Sequence, residues 1–168
     1  ENWEYYFNIA FNLITNKRDA KRYLGNISAD LEIVKGLIGK VSASYIRNDH
    51  EGTYFRPTGV FASADNGYAK RYYDNNYIKL IESTLNYSKQ FANFHNVAVD
   101  LGHSWQEEGS DGFYAQAVNA SSPGIGADNL QSLVDVKWGD IDSWRSKSNL
   151  IGVFGRIQYN FNSKYYLH

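Results

Sequence analysis

Residues 22–34 read RYLGNISADLEIV, and the order within them decides the fold. Tyr23, Gly25, Ile27, Ala29, Leu31 and Ile33 alternate with Asn26, Ser28, Asp30 and Glu32. Successive side chains of a strand point to opposite faces, so a period of two puts the apolar set on one side and the polar set on the other. A Lys35-Gly36 turn follows, and then Val41, Ala43 and Tyr45 alternate with Lys40, Ser42 and Ser44. This reads as two antiparallel strands joined by a tight turn.

The same period recurs along the chain. Tyr5, Phe7, Ile9, Phe11 and Leu13 alternate with Glu4, Tyr6, Asn8, Ala10 and Asn12. Ile81, Ser83, Leu85 and Tyr87 oppose Glu82, Thr84, Asn86 and Ser88. Beyond the linker KQFANF, Val97, Val99, Leu101 and Trp105 oppose Asn96, Asp100 and Ser104. Ile151, Val153, Gly155, Ile157 and Tyr159 oppose Gly152, Arg156, Gln158 and Asn160, after which NFNSK turns the chain into residues 165–168. The pattern predicts an all-β antiparallel meander of about six strands and a stub. The connections after Ile33, Ser88 and Asn160 are short, whereas residues 47–76 and 107–146 read as two long loops.

Two architectures accommodate this alternation: part of a transmembrane β-barrel, or a soluble β-sandwich packed on its own core. The composition suits both, with 14 Tyr, 9 Phe and 4 Trp in a chain whose mean hydropathy is −0.51. A net charge of −1 and a pI near 6.5 give no electrostatic case for nucleic acid. Cysteine is absent, which fits an oxidising compartment. No apolar run approaches the ~18 residues of a membrane helix, but that excludes only helical spanning. The strand ends favour the barrel. Tyr23 to Ile33 and Tyr77 to Tyr87 match the roughly 9–11 residues that a tilted strand needs to cross a bilayer. With the short turns on the periplasmic side, Tyr23, Tyr45, Tyr77 and Trp105 fall at the outer boundary and Tyr87 and Tyr159 at the inner one. Such residues form aromatic girdles, and a sandwich has no reason to place them there. On that face Arg47, Lys79, His103 and Lys147 stand toward the outer ends, where charge is tolerated.

Two stretches carry a resemblance. Residues 15–52, TNKRDAKRYLGNISADLEIVKGLIGKVSASYIRNDHEG, resemble a strand–turn–strand unit with a "-KGL-" turn found in the SusC/RagA family of TonB-linked outer-membrane proteins. Residues 148–167, SNLIGVFGRIQYNFNSKYYL, are similar to that family's "L-I-S-F-F-G-R-x-N-Y-x-Y-x-D-K-Y-L-L" hairpin, with Phe154-Gly155-Arg156 and Lys164-Tyr165 in the matching places. Residues 101–113, LGHSWQEEGSDGF, resemble the family's strand ending in "G-x-S-x-Q". The resemblance implies a 22-stranded plugged barrel in the bacterial outer membrane that imports glycans or peptides. It further implies a SusD-like surface lipoprotein as partner, TonB and the proton-motive force as the drive, and outer-membrane lipid around the wall. On this reading residues 1–168 are one segment of the barrel domain, and the plug and the TonB-contacting parts lie elsewhere. Residues 3–14 lack the Asn-Pro that the family would place before TNKRD, and methionine is absent. A soluble glycan-binding sandwich and a small engineered barrel therefore stay open as alternatives.

No sequence signature of catalysis emerges, and the expectation is a non-enzymatic chain that needs no cofactor. There is no Gly-x-Ser-x-Gly, Walker or dinucleotide-binding fingerprint. Asp49-His50-Glu51 and the acidic residues Asp135, Asp140 and Asp142 lack metal-ligand spacing, and the adjacent Glu107 and Glu108 cannot oppose each other across a glycosidic bond. The two presumed loops are rich in aromatics beside polar groups, a combination that suits sugar rings, and arginine adds cation–π or carboxylate contacts. The candidate substrate-binding residues are Tyr54, Arg56, Tyr72, Tyr73, Trp138 and Trp144.

Overall fold

The computed structural model describes residues 12–60, 66–120 and 126–167. The strand expected over residues 5–13 lies almost wholly outside them. The described chain forms β1 (Thr15–Val34), β2 (Leu37–Arg56), β3 (Tyr68–Phe91), β4 (His95–Ala120), β5 (Leu133–Asp135), β6 (Ile141–Phe161) and β7 (Tyr165–Leu167), with one 3-10 turn at Leu130–Ser132. They make one sheet in the order β1-β2-β3-β4-β6-β7, and β5 pairs with β4. Sequential strands are spatial neighbours, as in a meander, and among the described residues no helix is long and apolar enough to cross a membrane.

The strands are longer than the hydropathy pattern indicates. The β3 and β4 strands run for 24 and 26 residues. Much of what reads as loop at 47–76 and 107–146 is therefore strand, and the connections shrink to residues 57–67 and 121–140. The physical reason is that alternation continues in these stretches between polar residues on both sides, so hydropathy does not register it. Tyr, Thr and Phe, all good strand formers, carry the pairing onward.

The chain packs as two units, and every long strand contributes to both. One comprises Tyr23–Arg47, Tyr77–Gly109 and Lys147–His168. Here the even-numbered side is a polar ladder. Asn26 Nδ2 donates to Ser44 Oγ at 2.6 Å, and Lys40 Nζ lies 3.8 Å from Asp30. Asp100 accepts from Asn86 at 2.7 Å and from the Arg156 guanidinium at 3.0 and 2.8 Å. Apart from the cluster of Lys79, Glu107 and Lys147, the odd-numbered side is largely apolar: a side chain at Gly39 would meet Ile33 and Leu85, and one at Gly155 would meet Leu101. That side is not covered, since Ile27 is 72% and Val153 79% exposed. Leu24, Ile38, Leu150 and Phe154 are among the exceptions on the polar side, and Phe154 lies across Gly102. The hairpins close with left-handed residues at Gly36, at Ala92 and Asn93, and at Asn162 and Ser163. At the first of these Gly36 also donates its N–H to Glu32, and its carbonyl accepts from Ser88 at 2.8 Å.

The other unit comprises Glu1–Arg22, Asn48–Asn76 and Ser110–Ser146. Its even-numbered side is again polar, with Asn48 and Asn76 joined at 2.7 Å and His50 and Asp74 at 3.1 Å. Its odd-numbered side buries Ala69, Ala117 and Ala127, with Phe55 and Leu130 packed against them.

These burial facts separate the architectures. Among the described residues the buried hydrophobics are three alanines, and no large side chain is fully buried. A soluble domain of this length would bury roughly 70% of the surface of its unfolded chain around a core of large apolar residues. Among the described residues there is neither the second sheet nor the core that a sandwich requires. The sheet path also ends at β1 and β7 rather than closing on itself, so the described strands are not a small complete barrel.

Candidate functional site

Strand periodicity assembles the site. Tyr54 and Arg56 on β2, Tyr68, Lys70 and Tyr72 on β3, Tyr114 on β4 and Trp144 on β6 all have even numbers. Together with Asn16 of β1 they line an open groove of about 780 Å³. That is within the roughly 300–1,000 Å³ of small-molecule sites.

Glycine makes room for two of the rings. A Cβ on Gly52 would clash with the Tyr72 ring, and one on Gly112 with the Trp144 indole. Each ring lies across the backbone of a neighbouring strand, where any larger residue would push it away. The remaining aromatics are locked by polar contacts. The rings of Tyr54 and Tyr68 meet edge-on at 5.6 Å, and the Arg56 guanidinium carbon lies 5.9 Å from the Tyr68 centroid. The Lys70 ammonium sits 4.4 Å from the Tyr114 centroid, inside the range of a cation–π contact. The Tyr68 hydroxyl donates to Gln116 at 2.8 Å, and the Gln116 amide donates to Asp140 at 2.9 Å. The Tyr114 hydroxyl donates to the Gly139 carbonyl at 2.9 Å. Burial and the nearby Asp140 carboxylate raise the Tyr68 pKa, so its hydroxyl stays a donor. Hydrogen bonds from Gln116 and from the Lys137 backbone lower that of Asp140, which stays charged.

Of the six expected residues the groove brings together Tyr54, Arg56, Tyr72 and Trp144. It does not include the other two. Tyr73 has the opposite parity to Tyr72 and faces the other side of the sheet, with its hydroxyl 3.5 Å from Asp49 and 3.4 Å from the Asn75 amide. Trp138 stands fully exposed on a turn. The sequence reading selected neither Tyr68 nor Lys70, Tyr114 or Gln116. All four share the parity of an expected residue on the same strand or its neighbour, a signal that becomes available once residues 68–76 are read as strand.

The other constellations do not converge. His50 pairs with Asp74, whereas Glu51 points the other way to Lys21 at 3.5 Å. Asp135 accepts from Asn119, Asp140 from Gln116, and Asp142 from the Ser143 backbone. No group of three metal-ligating side chains occurs among the described residues. Glu107, read as a loop residue, is buried on β4 between Lys79 at 3.0 Å and Lys147 at 2.6 Å, and the Tyr77 hydroxyl donates to it at 3.2 Å.

No protein-family model matches the chain. TonB-dependent receptor P3 of Formosa agariphila is 29% identical over 151 residues, covering 89% of this chain and 15% of that receptor. Among solved structures, the RagAB peptide importer in its open-open state matches with a TM-score of 0.81 at 16% identity, over 92% of this chain and 17% of that one. The RagAB peptide transporter matches with a TM-score of 0.80 over the same shares. The chain thus spans about a sixth of the length of these relatives. The first is a TonB-dependent receptor and the second a peptide importer. Sequence relative, fold and hairpin motifs together support a barrel segment of the SusC/RagA type of TonB-dependent transporter.

Proposed function

We propose that this chain forms part of the barrel wall of a bacterial outer-membrane nutrient importer, and that its even-numbered side faces the lumen. The carrying observation is the sheet itself, with uncovered Ile27, Leu31, Val153 and Ile157 on one side and the Asp30–Lys40 and Asn86–Asp100–Arg156 contacts on the other. Lipid is the solvent that such an apolar face requires, and a wet lumen suits the ladder. Tyr23, Tyr45, Tyr77 and Trp105 then sit at the outer interface, and the strands continue beyond it. In this reading the plug and the contact with TonB belong to other parts of the receptor, and a SusD-like lipoprotein delivers an oligosaccharide or peptide from the cell surface.

The groove is where this segment meets the substrate. Its aromatic rings offer stacking surfaces worth on the order of 1 kcal/mol each. The test compares variants of the intact receptor. Tyr72→Ala and Trp144→Ala are expected to weaken substrate binding and uptake, while Tyr73→Ala and Trp138→Ala leave both unchanged. Equal effects from the two pairs, at equal receptor levels, would remove the groove from the account.

A further inference from the structure

The charge inside the groove narrows the substrate class. Among the described residues of this unit the even-numbered cations are Arg18, Arg22, Arg56 and Lys70, and the even-numbered carboxylates are Asp74, Asp140 and Asp142, together with Asp128 in a connection, 3.9 Å from Arg71. Each carboxylate is already engaged: Asp74 by His50, Asp140 by Gln116 and the Lys137 backbone, Asp142 by the Ser143 backbone. The Lys70 ammonium has no ion pair among the described residues; its recorded neighbour is the Tyr114 ring. A lysine that lines an open groove over an aromatic face, with no carboxylate among the residues lining it, leaves a positive charge for a ligand to meet.

We propose, resting on the import reading above, that this groove binds an anionic oligosaccharide. Lys70 and Arg56 meet its carboxylate or sulfate groups, and Tyr72 and Trp144 stack on its ring faces. Two features favour a sugar over an acidic peptide. Extended peptides gain affinity by adding to a free sheet edge, and β2, β3 and β4, which carry most of the groove, are interior strands with neighbours on both sides. Tyr72 and Trp144 lie across Gly52 and Gly112, and such rings suit the apolar faces of pyranoses. Carboxylate and sulfate offer the same planar or tripodal acceptors to ammonium and guanidinium, so the groove specifies an anion on a sugar rather than one of the two.

The test measures the affinity of the intact, detergent-solubilised receptor for four probes of similar length: an oligogalacturonate, a sulfated galactan oligosaccharide, a neutral malto-oligosaccharide and a glutamate-rich peptide. At least one of the two acidic sugars is expected to bind more tightly than the neutral one and the peptide, and to weaken as salt rises. Which acidic sugar leads identifies the anion. Lys70→Gln is expected to weaken that sugar by about fivefold to tenfold, the range of a charge-assisted contact at a half-open site. It should spare the neutral sugar, and Lys70→Arg should restore the affinity. Equal binding of neutral and acidic sugars, or a Lys70→Gln loss shared by all probes, overturns the anionic assignment while leaving import through this groove intact. Tightest binding of the peptide overturns the sugar class with the same consequence. If no probe is sensitive to Lys70→Gln or to Trp144→Ala, both the inference and the groove's part in import fall.

Discussion

Replacing Ile27 with arginine places a guanidinium on the uncovered apolar side of β1, and its cost can be worked from position. Ile27 lies four residues from Tyr23 along the strand and is 72% exposed. At about 3.3 Å per residue and a tilt of about 40°, it sits about 10 Å inside the level of Tyr23, near the middle of an apolar band about 25 Å tall. Arginine at such a depth costs about 2–4 kcal/mol, or roughly a 30- to 700-fold shift in the equilibrium between assembled and unassembled receptor. Leu31 lies about 20 Å inside the same level by the same measure, close to the opposite interface, where the cost falls to about 0–1 kcal/mol. The matched control is Asn26→Arg, one residue away on the polar side. It sacrifices the hydrogen bond from Asn26 to Ser44, worth about 0.5–1.5 kcal/mol, and puts the new charge in water. The assay is the heat-modifiable, folded fraction of the intact receptor in outer-membrane preparations. The expected order of damage is Ile27→Arg, then Asn26→Arg and Leu31→Arg close together. Equal loss at Ile27 and Asn26, or greater loss at Leu31 than at Ile27, would refute the assignment of faces and depth.

Two further outcomes follow from the groove. Gly112→Ala would drive a methyl group into the position of the Trp144 indole, so the ring must leave the groove, and ligand affinity is expected to fall about fivefold, the equivalent of about 1 kcal/mol for one stacked ring. Gly25→Ala, whose Cβ would meet nothing within 4 Å, should leave affinity unchanged, and the comparison is made by titration of the purified receptor. The second concerns acid. The folded-state pKa of Asp140 is lowered from 3.8, first by Gln116 and then by the Lys137 backbone, so its contribution is complete above the unfolded value and is lost as pH falls through the lower, folded one. The hydrogen-exchange protection factor at residues 137–140, the observed rate corrected for the intrinsic rate at each pH, should therefore fall only below about pH 4, and Asp140→Asn should abolish that pH dependence. A change in protection between pH 5 and 7 would contradict it.

The unequal legibility of the chain has one physical origin. Where strands separate an apolar side from a polar one, as in Tyr23 to Ile33 or Val97 to Trp105, hydropathy carries the period and the sequence identifies strand, face and turn together. Where both sides are polar, the period persists without a hydropathy signature. Asn48, His50, Gly52, Tyr54 and Arg56 occupy one side of β2 while Asp49, Glu51, Thr53 and Phe55 occupy the other, and neither set looks like a core. Reading these residues as loop costs more than the boundary. In a loop Tyr72 and Tyr73 are equivalent neighbours, and both qualify as ligand contacts; on a strand they face opposite sides, and only one lines the groove. The same logic separates Glu107 from Glu108 and His50 from Asp49 and Glu51. Lys70 and Tyr114 escape a reading by composition for a related reason, since their meaning comes from a cross-strand contact between residues far apart in sequence. Glycine carries the remaining information. Gly52 and Gly112 look like loop punctuation, yet each is the vacancy into which an aromatic ring from the next strand is laid. A polar stretch with alternating aromatics and isolated glycines therefore reads better as strand continuing past a membrane boundary than as an extracellular loop, and its even and odd positions should be judged separately before any is assigned to a ligand.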